Sequence, residues 1–250
     1  MKKVILIISV LLLFINCSKP LDCVESSGAM IIKEYEVSEA NQFHSIYVFK
    51  GVGLVIKQGT EYKVEVKTGE NLLENISVEF KNDGLFLKDN SSCNWVRDYG
   101  QTIVYVTTPA LDFLNLFSKT EQNIDSHGVL SHSIVRLNSM DLGAGAGTND
   151  FHIQVNNYQL VIENNNVSRF YVSGQTGEAL LNFYDGNGKI DAPNLMVQNI
   201  KVFHRGSNDM IVNPIQSITG KMVSTGNIIL KNNPTLVSVE QLFKGKIIYN

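Results

Sequence analysis

The chain predicts an all-β fold, a parallel β-helix in which short strands stack coil upon coil. Three observations carry this. First, no segment holds a 3.6-residue apolar period for three turns, whereas short alternating or β-branched runs recur from Ile31 onward, punctuated by Gly51, Gly53, Gly59, Gly69 and Gly84. Second, the chain repeats itself in its second half. Val161, Leu181, Val202 and Met222 sit in similar short strands about 20 residues apart, and Tyr171, Ile190, Ile211 and Ile229 form a second such set. Third, Pro193, Pro214 and Pro234 follow that second set at intervals of 21 and 20 residues. A β-sandwich also needs many short strands, but it does not place proline three times at one phase. A single coil cannot bury its apolar face alone, so neighbouring coils must stack.

In chain order, residues 1–16 come first. Lys2 and Lys3 precede an unbroken apolar run from Val4 to Ile15. A basic start and an apolar run of about a dozen residues make a secretory signal rather than a membrane span. Cys17 at its end suggests lipidation, although Phe14-Ile15-Asn16 offers no small residue before it. Cys17 is therefore the expected lipid attachment site, with the membrane as partner through that anchor. Residues 17–30 read as a polar tether.

The globular part spans 31–250, with a distinct first half, 31–110, and regular coils over 134–250. In the first half the strands are Tyr47-Val48-Phe49, Leu54-Val55-Ile56, Tyr62 to Val66, Ile76 to Phe80 and Leu85-Phe86-Leu87. Asn82-Asp83-Gly84 predicts a tight hairpin turn, and Glu70 to Asn75 a single helical turn. In the second half Val161, Leu181, Val202 and Met222 are expected to point inward in one stacked row. Asn164-Asn165-Asn166, Asp185-Gly186-Asn187-Gly188 and Gly206-Ser207-Asn208-Asp209 supply the sharp corners, because Asn, Asp and Gly tolerate left-handed backbone.

Removing residues 1–16 takes away two lysines and no acid, which leaves 19 basic against 24 acidic residues, a net charge of −5. Nucleic acid is not an expected partner of such a chain, since it requires a basic footprint. If Cys17 carries lipid, Cys23 and Cys93 remain. An oxidising compartment permits a bridge between them, but one long-range pair has no spacing signature. The favoured expectation is Cys23 in a mobile tether and Cys93 as a loop thiol.

The order of the pieces resembles a known family. Phe43 to Ile46 lead into Gly51 to Gly59. Then come Glu61 to Lys67, Asn71-Leu72-Leu73, Gly84 to Leu87, Val104 to Pro109 and the Gly-rich Leu142 to Gly147. This is similar to the GIN-domain family of Gram-negative envelope proteins, described as the head of autotransporter adhesins. The likeness covers roughly 31–250, and it rests on the order of many weak motifs. It implies a right-handed, single-stranded β-helix, a lipoprotein or secreted signal, and no established catalysis, so it carries over no catalytic residues.

Chemistry beyond the fold is sparse. Gly143-x-Gly145-x-Gly147 has the wrong spacing for a dinucleotide loop and no helix after it, so no cofactor is expected and the glycines are read as close-approach positions. His127 and His132, near Asp125, fall short of the three or four converging ligands of a zinc site. They are read as exposed loop histidines, and no metal is expected. Asp185, Asp191 and Asp209 lie in adjacent coils and could line up as the paired carboxylates of a glycoside hydrolase. Their Gly- and Asn-rich surroundings favour turn duty instead. Trp95, Arg97 and Tyr99, beside Asp98, are the candidate ligand contacts, a platform for sugar rings. The plainer alternative has Trp95 and Tyr99 covering the end or side of the first core. The expected protein is a non-catalytic, envelope-anchored binding or adhesion module, in outer-membrane lipoprotein style, that presents a rigid surface to a glycan, a protein or its own copies. A polysaccharide lyase or glycoside hydrolase on the same fold, and a periplasmic structural or assembly protein, are the competing classes.

Overall fold

The computed structural model describes residues 23–24, 26–91, 94–141 and 147–250. Its strands are β1 (Met30–Tyr35), β2 (Ser45–Phe49), β3 (Val52–Gln58), β4 (Lys63–Gly69), β5 (Ile76–Lys81), β6 (Gly84–Asp89), β7 (Thr102–Thr108), β8 (Phe113–Lys119) and β9 (Ile124–Leu130). They continue as β10 (Ile134–Ser139), β11 (Asp150–Asn164), β12 (Arg169–Phe183), β13 (Lys189–His204), β14 (Met210–Met222), β15 (Ile228–Leu230), β16 (Leu236–Gln241) and β17 (Ile247–Tyr249). The predicted helical turn is a 3-10 helix over Glu70–Asn75.

The protein is a β-solenoid. Its strands line two faces around a shared core. One face runs β1, β4, β7, β3, β9, then the first halves of β11 to β14, then β15 and β17. The other runs β5, β6, β2, β8, β10, then the second halves of β11 to β14, then β16. Pairing is parallel throughout except where β1–β4, β4–β7 and β5–β6 close the N-terminal end. Asn82 and Asp83, at φ 51° and 56°, make the β5–β6 turn in the left-handed conformation their side chains tolerate.

The coils do not stack in chain order. The β2–β3 coil lies between the β6–β7 and β8–β9 coils, so the chain leaves the stack through β4 and β5, returns outside its own first coil, and then steps over it. The interior is one apolar cluster that extends from Phe43 to Leu230.

Val161, Leu181, Val202 and Met222 are all buried, but they do not form one row. The row that contains Leu181 is Leu137, Ile162, Leu181, Val202, Gly220 and Val239. Val161 lies opposite Leu180, and Met222 lies opposite His204. The 20-residue count assumes identical coils, whereas extra residues bulge out of β13 after Asp191 and one extra residue bulges out of β14 after Pro214. In the second set Tyr171, Ile211 and Ile229 share a row, with Asp191 where Ile190 was expected.

The corners are built as ladders. The Asn213 side-chain amide donates to the Pro193 carbonyl at 3.2 Å, and that of Asn232 to the Pro214 carbonyl at 2.9 Å. Each proline lacks an N–H: Pro193 lies in the part of β13 left out of the β14 ladder, and Pro214 lies beside the break in that ladder after Val197. At the opposite corner Tyr184, Arg205, Val223 and Leu242 each donate a backbone N–H to the coil before. Inside, Ser118 and Ser168 donate to Asn149 Oδ1 at 2.6 and 3.0 Å, and Ser139 and Ser168 hydroxyls are 2.8 Å apart. The buried polar atoms of this corner satisfy one another. A Cβ on Gly147 would meet Ser118 and Ser139, so this glycine permits close approach of coils.

Cys23 corrects an expectation. It is 5% exposed and disulfide-bonded, not a free thiol in a tether, and its carbonyl accepts the Trp95 N–H at 2.9 Å. Cys17, Cys93, the 1–16 segment, Gly143 and Gly145 lie outside the described residues.

Candidate binding cleft

The outer face of the β6–β2–β8 strands carries a stack of rings. Residues on one outward row face each other across parallel strands at about 4.8 Å spacing, and here that row is Phe86, Tyr47 and Phe117. The Tyr47 ring lies 4.4 Å from Phe86 and 4.5 Å from Phe117, nearly parallel to both. Phe49 and Lys88 flank this row, and Lys81 sits 4.5 Å above the Phe86 ring.

A cleft of about 930 Å³ opens beside these rings, between the sheet and the segment that follows β6. Phe49, Phe86 and Tyr99 supply its apolar walls. Lys50, Lys81, Lys88 and Lys119 face it, against Glu79 and Glu121. Glu79 is held by Lys81 at 2.9 Å and by the Ser77 hydroxyl at 2.8 Å. Those two hydrogen bonds, Lys81 first, keep its carboxyl below the usual range. Lys50 and Lys88 form no ion pair among the described residues. The cleft therefore has a positive potential on a chain of net charge −3.

The segment that forms one lip contains the three sequence-predicted contacts. The Arg97 N–H donates to Asn94 Oδ1 at 2.7 Å, and the Asn94 side-chain amide donates to the Arg97 carbonyl at 2.8 Å, which closes a tight local loop. Tyr99 is 81% exposed and lines both the large cleft and a smaller adjoining pocket of about 170 Å³, where Arg97 joins it. Trp95 is 78% exposed and lines neither. Neither Trp95 nor Tyr99 covers the core. Sequence reading missed Phe49, Phe86 and the lysines, because they are brought to Tyr99 by pairing between strands distant in the chain. The only local signal was the outward phase of Tyr47, Phe49 and Phe86 in alternating strands.

The other candidates separate. Asp185 accepts the Gly186 N–H at 2.8 Å, Asp209 accepts both the backbone and side-chain N–H groups of Asn227 at 2.9 Å, and Asp191 pairs with Lys189 at 2.6 Å. Each carboxylate has its own local partner. His132 is not an exposed loop residue. It is fully buried, its Nε2 is 3.1 Å from Thr108 Oγ1, and burial lowers its pKa, opposed by the Pro109 backbone. Asp125 pairs with His152, not with His127 or His132. Among the described residues, no three His, Cys, Asp or Glu side chains are placed to hold a metal.

The pattern of the family described as "Putative auto-transporter adhesin, head GIN domain" matches residues 42–234. The chain belongs to the GIN-domain family. A solved structure called a "putative adhesin" from Bacteroides fragilis superposes with a TM-score of 0.77 at 20% identity, over 90% of this chain and 100% of that one. A "putative lipid binding protein" from Parabacteroides distasonis gives 0.58 at 15% identity, over 88% and 97%. A "putative adhesin" from Parabacteroides merdae gives 0.54 at 15%, over 89% and 97%. At these identities the likeness is one of fold. No curated protein matches the sequence. For a GIN-domain chain the solenoid is thus the shared frame, and the ring stack with its lysines is a surface built on it.

Proposed function

We propose that this GIN-domain protein is an adhesion module of the cell envelope that holds acidic glycans in the lysine-lined cleft. The supporting observation is the convergence of Lys50, Lys81, Lys88 and Lys119 on a cleft walled by Phe49, Phe86 and Tyr99. Pyranose rings present flat C–H faces that pack on aromatic side chains, and carboxylate or sulfate groups on the same sugar are met by ammonium groups. Tyr99 is the platform, and Arg97 extends the basic character into the smaller pocket. The solenoid supplies rigidity on the sheet side: Phe49 and Phe86 sit on β2 and β6, each paired on both sides, so those walls acquire little order on binding. No reaction is part of this function. Lipid on Cys17 would hold the module at the outer membrane, an assignment that rests on the N-terminal sequence alone. Among the described residues, no helix is long and apolar enough to cross a membrane.

The test is titration of the full chain with heparin fragments and oligogalacturonate, with dextran as the neutral control. Lys50→Glu with Lys88→Glu should weaken binding of the acidic glycans by roughly tenfold or more and flatten its salt dependence. Tyr99→Ala should weaken it with the salt dependence intact. Absence of binding to both acidic glycans, or binding indifferent to these substitutions, would discard the cleft as the site.

A further inference from the structure

The face opposite the lysine cleft carries a row of different chemistry. Asp125, His152, Tyr171 and Asp191 occupy one outward row on four consecutive strands, β9, β11, β12 and β13. The His152 and Tyr171 rings are stacked at 5.0 Å and 12°. Asp125 Oδ1 lies 2.7 Å from His152 Nδ1, and Asp191 Oδ2 is 2.6 Å from Lys189 Nζ. The result is a strip of ring edges with a carboxylate at each end, about 14 Å long at the usual strand spacing.

His152, Tyr171 and Asp191 of the strip line a groove of about 450 Å³, which also presents Ser126, Gln154, Ser173 and Asn194, and Asp125 adjoins it through His152. The groove exists because the strands lose register on either side of the strip. In β9, the residues between Asp125 and Val129 oppose only Ile153 of β11. In β13, Ala192 to Leu195 are looped out against β14, with Pro193 in the bulge. Bulges of this kind re-aim side chains and raise a wall beside the row they interrupt. Among the described residues this row is the one place on that face where stacked rings and free acceptor oxygens coincide.

We infer that this groove is a second binding site, for a neutral saccharide of two or three rings. Asp191 faces the Lys189 ammonium and Asp125 is hydrogen-bonded to His152, and the carboxylate oxygens repel an anionic ligand, so the strip suits a neutral one. Each carboxylate keeps acceptor positions beyond the one in use, and sugar hydroxyls donate to such oxygens. The outward edges of the stacked Tyr171 and His152 rings give the groove an apolar floor on which the C–H face of a pyranose packs. The lysine cleft selects on charge; this groove selects on hydroxyl geometry. The two sites lie on opposite faces and can be occupied together, which would let one module bridge two glycan chains.

Calorimetric titration of the full chain with cellotetraose, maltotetraose and mannotetraose at millimolar concentration tests this. At least one should bind, with an affinity unchanged by added salt. Tyr171→Ala should weaken that binding roughly tenfold, Tyr171→Phe should retain it, and Lys50→Glu with Lys88→Glu should leave it untouched. Melting curves establish that each variant is folded. No binding of any of the three, or equal binding by folded Tyr171→Ala, overturns the assignment. Loss on Lys50→Glu with Lys88→Glu also overturns it, since binding would then belong to the lysine cleft.

Discussion

Gly220 of β14 lies directly opposite Val202 of β13, with its backbone packed onto the Val202 carbonyl so closely that no Cβ could fit between them. Its φ of +132° is one that residues with a side chain rarely adopt. By register this glycine continues the row of Leu137, Ile162, Leu181 and Val202 toward Val239, although it is itself exposed, and it lets two coils come together where a side chain would hold them apart. Gly174 repeats the device against the Val155 carbonyl, at φ +105°.

Gly220→Ala is expected to destabilise the fold by about 2 kcal/mol or more, from the unfavourable backbone conformation plus the displaced carbonyl. Chemical denaturation of the variant beside the parent measures it. A loss below about 0.5 kcal/mol, the usual size of a neutral surface change, would mean that the β13–β14 contact is looser than described.

Stability should fall in mild acid through the two buried histidines. His204 is fully buried, and among the described residues neither ring nitrogen has a well-formed hydrogen bond. Burial lowers its pKa from 6.5, opposed by the Asn208 backbone and Asp209. The folded state then prefers neutral imidazole. At pH values below about 6.5 the unfolded chain takes up protons that the folded chain does not, so the stabilisation is fully present above that pH and is lost as pH falls toward the depressed folded value. His132 has the same sign, again chiefly from burial. Melting temperature measured between pH 7.5 and 5 should drop, and His204→Leu should drop less steeply. An equally steep slope in the variant would assign the acid sensitivity elsewhere.

If Cys17 carries the anchor, Cys17→Ser should move the protein from the membrane fraction to the soluble fraction and end its labelling by a palmitate analogue. Labelling that persists in this variant excludes lipid on Cys17.

Short alternating strands, Gly, Asn and Pro corners, the Asn82-Asp83 turn and the helical turn after Gly69 were all legible in the sequence. Each depends on the conformational preferences of residues adjacent in the chain, and coils that cannot bury a face singly must stack. Tertiary structure alone decided the order of stacking, in which the β2–β3 coil is enclosed by the coils of β6–β7 and β8–β9. Register was likewise out of reach, because opposing bulges in β13 and β14 together shift Met222 from Val202 to His204. Both binding surfaces depend on these non-local choices. Tyr99 lines one cleft with Phe86 and the lysines, and Tyr171 stacks on His152 beside Asp191, only once strands distant in the chain have paired. A period read along the sequence identifies which residues face outward, but their neighbours on the surface are set by which strands pair and in what register.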